Sequence, residues 1–480
     1  METLLNAVSK TLQYSGVTLK NSNGLSIIKG KTYAIIGENG AGKTILGKII
    51  EKGWNISSNI IRGNKESLKI KSIEFSDIHS LAGCKNSYYQ QRWESSANEG
   101  MPTVKELISG KITDDLWEYL SRRLSLYDIL DKKINFLSSG ELRKFLLINL
   151  FTEKPDILII DNPYIGLDSN SRDLFNTLIS SLSGAGVTVI LLLCNPQDIP
   201  TYTDYIIPVK NREILPVADC TDIDDVTLLK KNLTELFTFR GNLHLLPPPQ
   251  KISTGYDTVF EMKDCIVKYG SGIILKNVSW KVKANEHWAL LGENGSGKST
   301  LLSLIYADNP QGYSNNITIF DRRRGTAESI WDIKRRIGYI SPEMHLYFNN
   351  GEDTLTVVAS GLHDNIGCFR KISEEQKGIA VKWMKAMGME HLAGRRFNTL
   401  SSGEQRLVLL ARTFIKNPAL LILDEPLHGL DIANKKMVAG IIKHLTGQEG
   451  VSMVYVTHYA NEIPECVTRQ MKLTKQRNNQ

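Results

Sequence analysis

The sequence predicts an α/β protein made of two collinear units in tandem, each built around a mostly parallel sheet. Three repeated features carry this prediction. Gly37-Glu38-Asn39-Gly40-Ala41-Gly42-Lys43-Thr44 recurs as Gly292-Glu293-Asn294-Gly295-Ser296-Gly297-Lys298-Ser299. Leu137-Ser138-Ser139-Gly140-Glu141 recurs as Leu400-Ser401-Ser402-Gly403-Glu404. Asp161 closes an apolar run and precedes Pro163 and Gly166-Leu167-Asp168, as Asp424 precedes Pro426 and Gly429-Leu430-Asp431. The first repeat is offset by 255 residues and the other two by 263, so the second unit carries about eight extra residues between its first and second features.

The elements follow in the same order in each half. Residues 32–36 and 288–291 are short apolar strands that run into the glycine-rich octapeptide and then an apolar-periodic helix. Residues 157–160 and 420–423 are continuous apolar runs, the pattern of strands buried on both faces of a parallel sheet. Residues 187–193 and 452–457 read as the next core strands. Between the halves, Pro247-Pro248-Pro249 stiffens a stretch that is acidic over 219–225. We therefore expect a first domain over 1–210, a linker over 211–255 and a second domain over 256–480.

Composition excludes several classes. At 480 residues the chain exceeds one ordinary domain, and 41% hydrophobic with 23% charged residues is globular. A net charge of +7 permits an anionic partner without demanding one. None of the six cysteines forms a Cys-x-x-Cys pair, so they read as reduced thiols of a cytoplasmic protein. The start of the chain lacks the pattern of a signal peptide. No apolar run approaches the roughly 20 residues needed to cross a bilayer. Action at a membrane would need another chain, with this one peripheral on the cytoplasmic face of the inner membrane.

The octapeptide is a phosphate-binding loop. Its glycines let backbone N–H groups turn inward around phosphate oxygens, and the helix that follows adds partial positive charge. The residues expected to hold ATP are Gly37, Asn39, Gly40, Gly42, Lys43 and Thr44, and Gly292, Asn294, Gly295, Gly297, Lys298, Ser299 and Thr300. Lys43 and Lys298 reach the outer phosphates. Thr44 and Ser299 give a hydroxyl to Mg²⁺, and Asp161 and Asp424, at strand carboxyl ends, complete the metal set. Chance could supply one such loop, and a strand-end aspartate can simply cap a turn. Two matches in register make both readings remote.

Leu-Ser-Ser-Gly-Glu before the aspartate strand resembles the signature of the ATP-binding-cassette family. That resemblance implies two nucleotide-binding domains of the P-loop NTPase class, each adding a helical and an antiparallel β subdomain to its parallel core. It implies ATPase activity, with two nucleotides held head to tail as an intramolecular dimer of domains. Ser138 and Gly140 would face the nucleotide on Lys298, and Ser401 and Gly403 the nucleotide on Lys43. Taken alone, each copy also reads as a serine helix cap. Tyr269, 23 residues before Gly292, stands where the family stacks an aromatic on adenine, and Tyr14 is its counterpart before Gly37. A strand tyrosine is equally a packing residue.

The family's catalytic glutamate and γ-phosphate histidine are present in the second half as Glu425 and His458. In the first half Asn162 replaces the glutamate, and Asn195 or Cys194 the histidine. An amide cannot act as a carboxylate base, so the two sites are expected to differ, with hydrolysis at the second half's loop. The family's glutamine loop is missing after Ile337-Gly338-Tyr339-Ile340-Ser341, where Pro342 and Glu343 follow. Gln90 and Gln91 have no secure place in the first half.

The stretch Gln311-Gly312-Tyr313, Asp321-Arg322-Arg323-Arg324-Gly325 and Ile330-Trp331-Asp332-Ile333-Lys334 resembles the tandem ATP-binding proteins associated with bacterial molybdate transport, also likened to photorepair proteins. This implies a link to oxyanion transport and an integral-membrane permease as partner. The arginine triplet suits phosphate or nucleic acid, or equally a solvated hairpin. The rival function is a cytosolic ATPase on a ribosome or nucleic acid. The short, proline-bearing, locally acidic linker counts against that, and against nucleic acid as partner. A third reading is an ATP-dependent regulatory protein.

Overall fold

The protein's structure is a computed structural model that describes residues 2–56, 59–63, 68–73, 101–108, 127–134, 137, 141, 145, 155–165, 167, 169–220, 226–238, 241–248, 255–269, 272–326, 328–342, 344, 351–363 and 372–475. In the first half the strands are β1 (Thr3–Ala7), β2 (Thr11–Tyr14), β3 (Val17–Lys20), β4 (Leu25–Ile28), β5 (Thr32–Ile36), β6 (Ile61–Arg62), β7 (Ile70–Ile73), β8 (Ile157–Asp161), β9 (Thr188–Leu193), β10 (Tyr205–Lys210), β11 (Glu213–Ile214) and β12 (Ala218–Asp219). In the second they are β13 (Thr258–Tyr269), β14 (Gly272–Lys283), β15 (His287–Gly292), β16 (Asn316–Ile319), β17 (Arg322–Arg323), β18 (Ile337–Ile340), β19 (Leu420–Asp424), β20 (Ser452–Val456) and β21 (Arg469–Leu473).

The repeat in sequence is a repeat in topology. The first parallel core runs β7-β8-β9-β5-β10 and the second β18-β19-β20-β15-β21, so equivalent strands take equivalent places. Every residue of β5, β8, β9, β19 and β20 is buried. That burial is why these strands read as unbroken apolar runs rather than alternating ones. Alternation is still present in where the side chains go. Tyr33 and Ile35 enter the core on one face of the first sheet, and Ala34 and Ile36 the core on the other.

Antiparallel layers flank each core: β4-β1-β6 in the first half and β14-β13-β16-β17 in the second. The β13–β14 hairpin has 12-residue arms, against 4 residues in β2 and β3. In the second half the helices Thr354–Ala359, Glu374–Ala386 and Ser402–Phe414 form the helical part.

The chain beyond residue 210 stays with the first sheet, since β11 and β12 both pair with β10. It then spans the two halves. The Thr238 N–H donates to the Glu38 carboxylate beside the first phosphate loop. The Asn242 N–H donates to Ala386 O (2.8 Å) in the second half. Gly241 lies against Met437, and Leu243 against Gly440. The connector is thus docked along its described length, which limits how far the halves can separate.

Candidate functional site

Both phosphate loops leave the carboxyl end of a core strand, β5 or β15, where ligands bind in such sheets. Gly42 (φ 111°) and Gly297 (φ 95°) cap the following helices in the left-handed region, which only glycine enters at low cost. A Cβ at Gly42 would also stand 2.6 Å from Leu19. Lys43 Nζ donates to Gly37 O (2.9 Å) and Glu38 O (2.7 Å). Lys298 Nζ donates to Gly292 O (2.8 Å) and Glu293 O (2.9 Å). Each lysine therefore lies within its own loop.

Thr44 Oγ1 donates to Asp161 Oδ2 (2.7 Å), which brings together the hydroxyl and carboxylate read as the first Mg²⁺ pair. Hard oxygen donors of this kind, joined by substrate phosphates, suit Mg²⁺. In the second half Ser299 and Thr300 occupy the first turn of the helix Lys298–Ile305, and Asp424 ends β19 as Asp161 ends β8.

The two halves meet head to tail. Ser401 caps the helix Ser402–Phe414 in a reciprocal box with Glu404, so the capping role is real. That helix start also faces the first phosphate loop. A Cβ at Gly403 would overlap the Asn39 amide, and one at Gly40 would stand 2.7 Å from Glu404 Oε1. The reciprocal approach exists too, since a Cβ at Gly295 would stand 3.3 Å from Glu141 Oε1. Ser138 and Gly140 lie outside the described residues.

Asn39 pins the seam. Its N–H donates to Asp431 Oδ2 (2.8 Å) and its Nδ2 to Gly429 O (3.0 Å), while its Oδ1 accepts from the Asp431 N–H (2.8 Å). Burial lifts the Asp431 carboxyl above its usual value, partly offset by the N–H donors of Asn39 and Asn434. Between these surfaces lies a cavity of about 460 Å³. Gly40, Lys43, Thr44 and Asp161 line it from one half, and Ser401 and Asp431 from the other. That volume is within the range of small-molecule sites.

The residues after the strand-end aspartates share one backbone. Asn162 and Glu425 both have φ 49°. Their N–H groups bond Leu192 O (3.0 Å) and Val456 O (2.9 Å) on the neighbouring strand. Their carbonyls accept from Ile165 N (3.3 Å) and His428 N (3.2 Å), three residues on. Asparagine is at home in this region, whereas glutamate stores about 1–3 kcal/mol of strain there.

The side chains then diverge. Glu425 is 5% exposed, with His458 Nε2 2.9 Å from Oε1 and His428 Nδ1 2.5 Å from Oε2. Burial alone would raise this carboxyl, but the two imidazoles, His428 foremost, hold it well below the usual carboxylate range. Asn162 Nδ2 instead donates to Asp161 Oδ1 (2.7 Å) and, across the seam, to Ser402 Oγ (3.1 Å). Asn195 Oδ1 caps the turn Pro196–Asp198, accepting from Gln197 N (3.0 Å). The neighbouring Cys194 thiol is pushed up to about 12 by burial.

Two residues of the site carry no motif in the sequence. Arg406, 6% exposed, donates to the carbonyls of Asp424 (3.0 Å), Glu425 (2.7 Å) and Ser341 (2.7 Å), tying the signature helix to the strained turn. His428 is the other, three residues after Glu425 in a stretch whose sequence marks only a turn. Tyr269 is half-buried, and its hydroxyl accepts from Asn309 Nδ2 (2.9 Å). On the β2–β3 hairpin it is Val17, next to Tyr14 across the turn, that lines the cavity.

Comparison with known proteins agrees with this architecture. The model of the family described as ABC transporter matches residues 20–165 and again 275–428. The ABC transporter ATP-binding protein ModF of Escherichia coli (strain K12) is 32% identical over 97% of this chain and 94% of its own length. An uncharacterized ABC transporter ATP-binding protein of Schizosaccharomyces pombe (strain 972 / ATCC 24843) is 26% identical over 92% of this chain and 91% of its own. Among solved structures, a model of ribosome-bound archaeal Pelota and ABCE1 aligns with TM-score 0.61 at 19% identity, covering 96% of this chain and 76% of that one. This chain belongs to the ABC transporter family and is a tandem ATP-binding protein with the family's ATPase activity.

Proposed function

We propose that this tandem ATPase hydrolyses ATP at one of two head-to-tail sites and uses the other to hold it. The hydrolysing site comprises Lys298, Ser299, Asp424, Glu425 and His458, completed by Ser138 and Gly140 from the first half. The holding site comprises Lys43, Thr44 and Asp161, completed by Ser401 and Gly403. The observation that carries this reading is the contrast between a carboxylate held by two histidines and an asparagine turned to Asp161 and Ser402 on the same backbone.

In this reading the backbone N–H groups of each loop and its lysine bind the phosphates. Mg²⁺ supplies Lewis-acid charge neutralisation when bound beside Thr44 and Asp161 or Ser299 and Asp424. Glu425 orients the attacking water as an acceptor, and its low pKa keeps it ionised. His458 gives an N–H to the γ-phosphate. Asn162 can hydrogen-bond water but cannot take up a proton. Substituting Glu425 and Asn162 separately distinguishes the two roles.

We further propose that the hydrolysis serves molybdate or another oxyanion transport system, with the chain on the cytoplasmic side of a permease supplied separately. The support is the full-length relative whose name makes it a transporter ATP-binding protein. The likeness to ribosome-bound proteins, at 19% identity, is a likeness of fold alone. Native purification from membrane and soluble fractions, with ATP and Glu425→Gln to trap closure, tests this. An integral-membrane chain should co-purify. Recovery only from the soluble fraction, with ribosomes or alone, contradicts the transport reading.

A further inference from the structure

His428 is a buried imidazole at the seam between the halves, in the turn that links β19 to the helix Ile432–Thr446. On one side its Nδ1 lies 2.5 Å from Glu425 Oε2. On the other its ring meets Tyr459 edge-on, with centroids 5.6 Å apart. Tyr459 in turn donates its hydroxyl to Leu167 O (3.4 Å) in the first half. The adjacent Gly429 lies against Ile165, also in the first half. The imidazole is therefore packed on Tyr459, which itself bonds the first half, while its other side faces the carboxylate.

Each oxygen of Glu425 lies within ion-pair distance of one histidine, Oε1 of His458 and Oε2 of His428. The Nε2–H of His458 cannot serve Glu425 Oε1 and a γ-phosphate at once. When it turns to the phosphate, Oε1 is released toward the attacking water, and the carboxylate would swing unless its other oxygen stays fixed. We infer that His428 is the positioning residue that anchors Glu425 Oε2 through this exchange. The first half supports the pairing by losing every member together. At the 263-residue offset, Asn162, Ile165 and Asn195 stand for Glu425, His428 and His458. The turn is kept there, with Ile165 N on Asn162 O, so the histidine is not needed to build it.

This inference rests on Glu425 being the hydrolytic carboxylate, and the test separates the two. Steady-state ATPase and thermal melts are measured for His428→Leu and His428→Asn, each alone and combined with Glu425→Gln. Leucine keeps volume but removes the donor. Asparagine places an amide N–H near the position of Nδ1–H. His428→Leu should lower kcat by about 30- to 100-fold with KM for ATP within about twofold, the size of effect a misplaced reacting group brings. His428→Asn should recover to within about fivefold of the unmodified protein. Neither should lower the residual rate of Glu425→Gln, because no carboxylate remains to be positioned. Equal loss in both variants with a lowered melting temperature would show a packing role and overturn the inference. So would a raised KM with kcat unchanged. If Glu425→Gln itself turns over normally, the assignment of Glu425 fails instead, and the inference with it.

Discussion

Glu425→Gln should lower steady-state ATP turnover by about 10²- to 10⁴-fold, the contribution typical of a positioned acid–base group and equivalent to about 2.7–5.5 kcal/mol of barrier. ATP binding should survive, because the amide leaves Lys298, Ser299 and Asp424 in place. Asn162→Ala, tested alongside, should change turnover by no more than about threefold, since the lost amide was never a base. The structural reason is the shared turn, φ 49° in both halves, which presents a histidine-held carboxylate on one side and a neutral amide on the other. Phosphate release measured across both variants checks it. Equal losses from the two substitutions would mean that both sites hydrolyse.

Gly403→Val should lower turnover by about 10²-fold although no residue of the hydrolysing site is changed. A Cβ at this position overlaps the Asn39 amide. Asn39 cannot turn aside, because Gly429 O, the Asp431 N–H and the Asp431 carboxylate hold it. The valine therefore pushes the signature helix off the first phosphate loop. Because both sites lie in one seam, the second site opens with the first. Gly403 sits in the first turn of its helix, so the core beneath it is untouched and the melting temperature should hold within a few degrees. Wild-type turnover in Gly403→Val would mean that closure at the first site is not needed for hydrolysis at the second.

Much of this fold is written in the sequence itself. The octapeptides and the Asp161 and Asp424 runs locate β5, β8, β15 and β19 to within a residue at each end, and β5, β8 and β19, buried throughout, leave an unbroken apolar mark. That Ser401 and Gly403 would face the first phosphate loop followed from resemblance, not from any local signal; the close approach of Gly403 to Asn39 is a finding of the structure. What stayed hidden was long-range or side-chain specific. Arg406 looks like one more polar residue of an amphipathic helix until its carbonyl partners, 18 to 65 residues away, are seen. His428 lies in a turn whose own sequence, Pro426-Leu427-His428-Gly429, marks only a turn. Its meaning comes from a carboxylate forced to face it by a left-handed backbone. The sequence pattern places a linker from residue 211, yet β11 and β12 extend the first sheet to Asp219, because two-residue strands fall below any periodicity signal.

One chain is expected to hold two nucleotides and hydrolyse one. Rapid isolation of the protein after a few turnovers with Mg²⁺ and labelled ATP, followed by counting ATP and ADP per chain, tests it most directly. About one intact ATP should remain on the Lys43 loop, with ADP formed only on the Lys298 loop, and two intact ATP should remain in Glu425→Gln. Conversion of both nucleotides to ADP at the same rate in the unmodified protein would contradict it.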